Sequence, residues 1–195
     1  MRTAKIKRKT KETDIELVLK LEGSSLIKIK TGYPFADHML YLMAFWGGFG
    51  LELTCVGDLE IDAHHSLEDI GLALGKALNT ALSDRKGIAR IGCAKVPMDE
   101  ALSEVVIDCS GRSYLVFNGQ EHLPDYFAGQ EKDVWREFFK SFASAAGINL
   151  HISMFYGQNG HHLLESVFKS LGLALSQAVM CKYDIIMSSK GSIEL

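Results

Sequence analysis

Two copies of one five-residue pattern stand nearly a hundred residues apart. His64, His65 and Glu68 lie in His-His-Ser-Leu-Glu, and His161, His162 and Glu165 lie in His-His-Leu-Leu-Glu. Imidazole and carboxylate are nitrogen and oxygen donors that divalent transition metals take. On a helix the first His and the Glu stand at i and i+4 and share a face. The second His is turned about 100° around the axis, because a helix advances 3.6 residues per turn. One such helix grips one ion with its His/Glu pair and offers its second His to another ion. Two such helices therefore build two metal sites. Symmetry gives one site His64, Glu68 and His162, and the other His161, Glu165 and His65. Each still lacks a fourth ligand. His38 and Glu137, at matched places in the preceding helical stretches, are the candidates.

A lone HHxxE pattern is often only a polar helix face. Here four of the seven histidines fall in two matched pairs, which that reading does not explain. Each donor set mixes nitrogen and carboxylate and has no thiolate, which suits Mn²⁺, Fe²⁺ or Zn²⁺. Four protein ligands leave octahedral positions open for substrate. That favours two manganese ions per subunit over closed structural zinc sites.

The elements that must position these residues are themselves repeated. Residues 11–24 (KETDIELVLKLEGS) align without a gap on residues 99–112 (DEALSEVVIDCSGR), placing Glu12 on Glu100, Glu16 on Glu104 and Gly23 on Gly111. Both are β-rich runs that close on glycine turns. A helical stretch ending at glycine follows in each half, 35–48 and 133–147. Then come a strand, 51–61 and 148–157, and the HHxxE helix with apolar residues at helical spacing. Each half reads strand–strand–helix–strand–helix with room for further short strands. The predicted class is α+β, an internal duplication with halves at 1–86 and 87–195. Segment 118–131 interrupts the repeat as an insertion of loop character, and its His122 is expected to face solvent.

With 195 residues, 47% of them hydrophobic, the chain suits one compact domain or two small ones. Net charge is -3, and the basic residues between Arg2 and Lys11 alternate with others as on a solvated strand edge. That argues against a nucleic-acid partner. The four cysteines have no CxxC spacing and read as reduced thiols of a cytoplasmic protein. No secretory leader or run of membrane-spanning length is expected, and Leu195 reads as a natural end.

The motifs FADHML, DAHHSLEDIGLALGKAL, RKGIARIG, PMDEAL, SGRSYLVF, FFKSFA, GINLHI, HHLLESVFK and the tail SSKG resemble the imidazoleglycerol-phosphate dehydratase family. They occur in that family's order and cover nearly the whole chain. The resemblance implies two similar α+β halves, each a roughly four-stranded sheet with helices packed on one face. It implies homo-oligomers, trimers assembling to a 24-mer shell with active sites between subunits. It also implies the sixth step of histidine biosynthesis, in which D-erythro-imidazoleglycerol phosphate loses water and becomes imidazole acetol phosphate.

Residue by residue, the resemblance implies metal ligands at His38, His64, His65, Glu68, His161, His162 and Glu165. Where the family often reads EHFF, with that His on a metal, this chain reads REFF. Glu137 thus stands in the histidine's place, and glutamate is a competent hard ligand. The tail departs too, with Met187 where proline is usual. The resemblance makes Glu12 the substrate-contacting acid/base for a non-acidic carbon proton. It puts Arg90 and Arg112 on the phosphate, with Ser188 and Lys190 in a closing tail. An imidazole held between two metals loses its N–H, and the imidazolate expels the C3 hydroxyl to give a diazafulvene-like intermediate. Two other functions compete. A dinuclear metallohydrolase acting on a phosphate ester usually brings Asp-rich ligands, which the His pairs lack. A non-catalytic metal-storage shell is the third reading.

Overall fold

Alternation of apolar and polar residues builds the sheets. In β2 (Thr13–Lys20) Ile15, Leu17 and Leu19 are buried while Glu16 faces solvent, and β6 (Ala101–Asp108) buries Val105 and Ile107 in the same way. The computed structural model describes residues 1–23 and 25–193, so Leu195 lies outside the described residues. The first sheet runs β1-β2-β4-β3, adding β1 (Thr3–Lys9), β3 (Ile27–Lys30) and β4 (Gly50–Gly57). The second runs β5-β6-β10-β7, adding β5 (Ile91–Met98), β7 (Tyr114–Asn118) and β10 (Asn149–Tyr156). Pairing is antiparallel except β3 with β4 and β7 with β10, which are parallel. The two four-stranded sheets thus share one topology, and the class is α+β. Lys5, Lys7 and Lys9 sit exposed on the edge strand β1, as their alternation predicts.

Four long helices lie between the sheets: α1 (Pro34–Gly47), α2 (His64–Leu82), α3 (Asp133–Ala146) and α4 (Gly160–Val179). Among the described residues no helix is long and apolar enough to cross a membrane. Pro34 opens α1, where its missing N–H costs nothing. α1 and α3 stop alike. Gly48 (φ 69°) and Gly147 (φ 62°) are left-handed, and each sends its N–H back to two carbonyls of the last turn. These matched stops set the register between the halves and put His38 and Glu137 at equivalent helix positions.

The helices cover their own sheets, α1 on β3 and α2 on β1 and β2, α3 on β7 and α4 on β5 and β6. They then pack crosswise, α1 on α4 and α2 on α3, in the order sheet, helices, helices, sheet. One continuous apolar core runs through these layers. Glycine permits the helix contacts. A Cβ at Gly75 of α2 would run into the Phe142 carbonyl, and one at Gly172 of α4 into the Met43 carbonyl. The crossed packing matters for chemistry, because it sets α1 of the first half beside the HHxxE helix of the second, and the reverse.

The insertion is a clasp rather than a bare loop. It folds as one 3₁₀ turn (Gln120–His122) and a small hairpin, β8 (Tyr126–Phe127) with β9 (Gln130–Glu131). The hairpin grips the first half: Tyr33 Oη donates to the Ala128 carbonyl at 2.9 Å, and the Ala63 N–H donates to Gln130 Oε1 at 3.1 Å. His122 is half-buried there, not solvent-exposed as the sequence suggests, because the turn packs down through buried Leu123. Buried Arg85 ties the halves again. It donates to the Ala146 and Gly147 carbonyls, both at 2.7 Å, and so satisfies the C-terminus of α3.

Candidate active site

Where α1 meets α4, three donors converge. His38 Nε2 lies 2.8 Å and His161 Nε2 3.0 Å from the same oxygen of Glu165. One ligand atom from each of the three lies within 4.8 Å of the others. The first turn of α4 is fixed by Asn159, whose side chain accepts the His161 N–H at 2.9 Å. Phe35 packs edge-on against the His161 ring, with centroids 5.1 Å apart. Glu165 is buried, and its second oxygen takes Lys169 Nζ at 2.8 Å. Burial alone would raise its carboxyl. Hydrogen bonds from Lys169, His38 and His161 outweigh that and bring it down to about 2.

The equivalent place, where α2 meets α3, is not gathered. His64 Nε2 and Glu68 Oε2 share a face at 3.9 Å. Glu137 instead pairs with Lys140 at 2.7 Å and Arg136 at 3.2 Å. The Lys140 hydrogen bond holds its carboxyl below the usual carboxylate range, with His64 a smaller influence in the same direction. The crossed packing thus couples His38 with the α4 pair and directs Glu137 toward the α2 pair.

The second histidine of each pattern points elsewhere. His65 Nδ1 meets Asp58 Oδ2 at 2.9 Å, and its Nε2 is 3.8 Å from Glu12. His162 Nδ1 meets Glu100 Oε2 at 2.7 Å, and its Nε2 is 3.9 Å from Asp99. The hydrogen bond that His65 donates to Asp58 holds its imidazole above the usual value, and the one that His162 donates to Glu100 does the same there. The reciprocal hydrogen bond, with backbone N–H donors, takes Glu100 down to about 2. Within one chain, then, His162 does not reach His64 and Glu68, and His65 does not reach His161 and Glu165. Glu12 sits in the exposed turn just ahead of β2, not inside the strand.

A third cluster is anion-shaped. Arg90, Arg112, Ser188 and Lys190 line one recess together with Ser110, Ser192 and Ile193. Backbone bonds hold the tail in place. Lys182 and Tyr183 donate to the Gly87 carbonyl, and the Gly87 N–H donates to Ile185. Arg90, itself left-handed at φ 72°, is forked onto Asp108 at 2.7 and 3.0 Å and also donates to the Met187 carbonyl at 2.6 Å. No carboxylate among the described residues pairs with Arg112 or Lys190, so their charge is available to an anion. The recess around His161 and His162 shares no lining residue with this one.

Sequence reasoning missed Lys169, Asp58, Asp108 and the use made of Glu100. Lys169 carried a signal, since it stands at i+4 from Glu165 on the same helix face. Asp58 and Asp108 meet their partners only through tertiary structure, and no spacing announces them.

A family model described as imidazoleglycerol-phosphate dehydratase matches residues 31–175 of this chain. The imidazoleglycerol-phosphate dehydratase of Oleidesulfovibrio alaskensis is 58% identical over 193 residues, covering 99% of this chain and 98% of that protein. That of Maridesulfovibrio salexigens is 60% identical over 193 residues, with the same coverage of 99% and 98%. The crystal structure of the Pyrococcus furiosus imidazoleglycerol-phosphate dehydratase in complex with (S)-C348 superposes with a TM-score of 0.80 at 34% identity, covering 96% of this chain and 99% of that one.

Proposed function

The chain belongs to the imidazoleglycerol-phosphate dehydratase family, and from that premise we propose that its dehydration runs on two manganese ions per subunit. The activity is that of a hydro-lyase of histidine biosynthesis, acting on imidazoleglycerol phosphate. The observation that carries the metal reading is the His38, His161 and Glu165 cluster, a nitrogen-and-carboxylate set that fits a divalent cation. His64, Glu68 and Glu137 form the counterpart. His65 and His162 complete the sets from neighbouring subunits. When bound, such ions supply Lewis-acid stabilisation of charge on the substrate ring and on the departing hydroxyl.

The chain's own residues do the rest. Arg90, Arg112, Ser188 and Lys190 hold the phosphate, Arg112 and Lys190 with charge that no described carboxylate neutralises. The C3 hydroxyl leaves to give a diazafulvene-like carbon skeleton. Glu12 then takes the carbon proton; its carboxylate accepts no hydrogen bond among the described residues, so its lone pairs are accessible. Loss of that proton leaves an enol, and a proton delivered to C3 with loss of the enol O–H proton gives the ketone, imidazole acetol phosphate.

Separation of the anion recess from the histidine recess supports sites built between subunits, in trimers that associate into a 24-mer. So does the exposure of Tyr41, Phe45 and Trp46 on α1, at 45%, 58% and 42%, an aromatic surface that a partner would cover. Four unpaired thiols fit the reducing cytoplasm, where we place the activity.

The test assays formation of imidazole acetol phosphate with manganese and after EDTA, beside sedimentation of both samples. Expected are activity only with metal and a fall from the shell to trimers on chelation, since metal that bridges subunits contributes its binding free energy to assembly. Full turnover without metal would sink the metal reading. Release of inorganic phosphate in place of the product would point to the hydrolase. An unchanged particle would sink metal-bridged assembly.

A further inference from the structure

We propose that Asp58 and Glu100 are positioning residues that aim the second histidine of each HHxxE pair outward, and that Asp58, by serving His65, leaves Glu12 free for chemistry. The inference rests on the two-metal reading only for what Nε2 meets. The orientation itself belongs to this chain.

Both imidazoles have one nitrogen engaged and one exposed. A carboxylate can only accept, so the bonds from His65 Nδ1 to Asp58 (2.9 Å) and from His162 Nδ1 to Glu100 (2.7 Å) put the proton on Nδ1. The Nε2 lone pair is then presented away from the chain. That is how outer carboxylates fix the tautomer and ring direction of a metal-ligating histidine.

The two carboxylates do not occupy equivalent positions in the repeat. Glu100 is in the turn between β5 and β6, and its counterpart between β1 and β2 is Glu12. Asp58 is the first residue after β4; the strand register sets Gly57 against Gly157, so the counterpart of Asp58 is Gln158. Gln158 is not an acid and gives its backbone N–H to Glu100 at 3.1 Å, so in the second half the turn glutamate takes the histidine. In the first half Asp58 already holds it, and the turn glutamate remains 3.8 Å from the other ring nitrogen.

Their surroundings agree with this division. Glu100 also accepts the Gln158 and Asn159 N–H groups at 3.1 and 2.9 Å, so three donors pin it. Glu12 is half-exposed, and among the described residues its carboxylate accepts no hydrogen bond. Asp58 is mostly buried. Its Oδ2 serves His65, and its Oδ1 has no partner, as expected of a side chain placed for that one contact. Glu12 and Glu100 therefore descend from one position and have parted in role, one left to act on substrate and the other turned into a brace.

The experiment uses the full chain as Asp58→Ala, Glu100→Ala, and the isosteric Asp58→Asn and Glu100→Gln. Histidine ¹⁵N NMR of the metal-free protein reads the tautomer directly. Expected are Nδ1–H rings for His65 and His162 in the parent, loss of that preference at one ring in each alanine variant, and its retention in the amide variants, whose oxygen still accepts. Manganese binding, followed by the signal of free Mn²⁺, should weaken about 10- to 100-fold for one ion in each alanine variant. The thermal midpoint of the metal-free chain should stay near the parent's, which a merely structural role would not allow. Unchanged tautomers, or alanine variants that bind both ions as tightly as the parent, would overturn the inference. A parent that shows the expected tautomers but binds fewer than two ions would overturn the metal reading, with the bracing of both rings left standing.

Discussion

At the α1–α4 contact three donors meet around one carboxylate oxygen, whereas at the α2–α3 contact their counterparts stand apart. The helices cross alike, although α2 approaches α3 through a second glycine, Gly71, whose counterpart in α4 is Phe168. Both contacts are made by helices of matched length and stop, crossing at matched glycines. The difference lies in side chains at two places, His38 against Glu137 and Lys169, which braces Glu165, against Leu72 beside Glu68. His38 is an imidazole and can share a proton with Glu165 at 2.8 Å. Glu137, at the same helix position, carries the same sign as Glu68, so without a cation between them the two carboxylates repel. Glu137 turns instead to Lys140 and Arg136. Duplication has kept the packing and let the chemistry diverge. One donor cluster is assembled within the chain; the donors of the other stand apart.

The largest effect expected from that divergence is at the two turn glutamates. If Glu12 is the acid/base, Glu12→Gln keeps the volume and removes that group, so turnover should fall by about 10²- to 10⁴-fold. At about 1.4 kcal/mol per decade this is roughly 3–5 kcal/mol of transition-state stabilisation. The loss should lie in kcat with metal content unchanged, because the interaction matters chiefly in the transition state. Steady-state kinetics decides it. A near-normal kcat with a raised KM would make Glu12 a binding residue, and the contrast with Glu100 would then concern recognition instead of proton transfer.

Next comes position 137. If Glu137 joins His64 and Glu68 around an ion, Glu137→Ala should hold one metal per chain after manganese loading. Glu137→His, which restores the equivalence with His38, should hold two. Elemental analysis of the loaded proteins reads this directly. Two ions in Glu137→Ala would mean that the Lys140 and Arg136 pairs are the whole role of Glu137, and the asymmetry between the centres would be structural only.

Much of this was legible in the chain. Helical spacing and glycine stops predict all four long helices to within a residue or two, and the gapless match of 11–24 with 99–112 predicts the duplication. The short strands β3 and β7 carry little pattern of their own. Each is fixed by parallel pairing with a distant strand, β4 or β10, which spacing along the chain does not reveal. Symmetry alone linked His162 with His64 and Glu68, but in one chain His162 is turned onto Glu100. The repeat aligns Glu12 with Glu100, but only the folded chain shows that Asp58 and its counterpart Gln158 differ in what they offer the neighbouring histidine. The quartet Arg90, Arg112, Ser188 and Lys190 came from resemblance, because three segments far apart in the chain have no common period.

The smallest effect sharpens the other side of the comparison, the packing that stayed the same. Gly75 and Gly172 are repeat counterparts, and each lets its helix approach a partner backbone that a Cβ would strike. Alanine in a helix interior is worth about 1 kcal/mol over glycine by propensity alone. Overpacking typically costs about 1–3 kcal/mol, and here the obstacle is a carbonyl on another helix instead of a yielding side chain. The obstruction should win, so Gly75→Ala and Gly172→Ala should each destabilise the metal-free chain by roughly 1–2 kcal/mol, and by similar amounts. Denaturant titration of the two variants measures this. If one is destabilised and the other is not, the helix contacts have diverged along with the ligands, and the difference between the two metal centres can no longer be assigned to Glu137 and Leu72 alone.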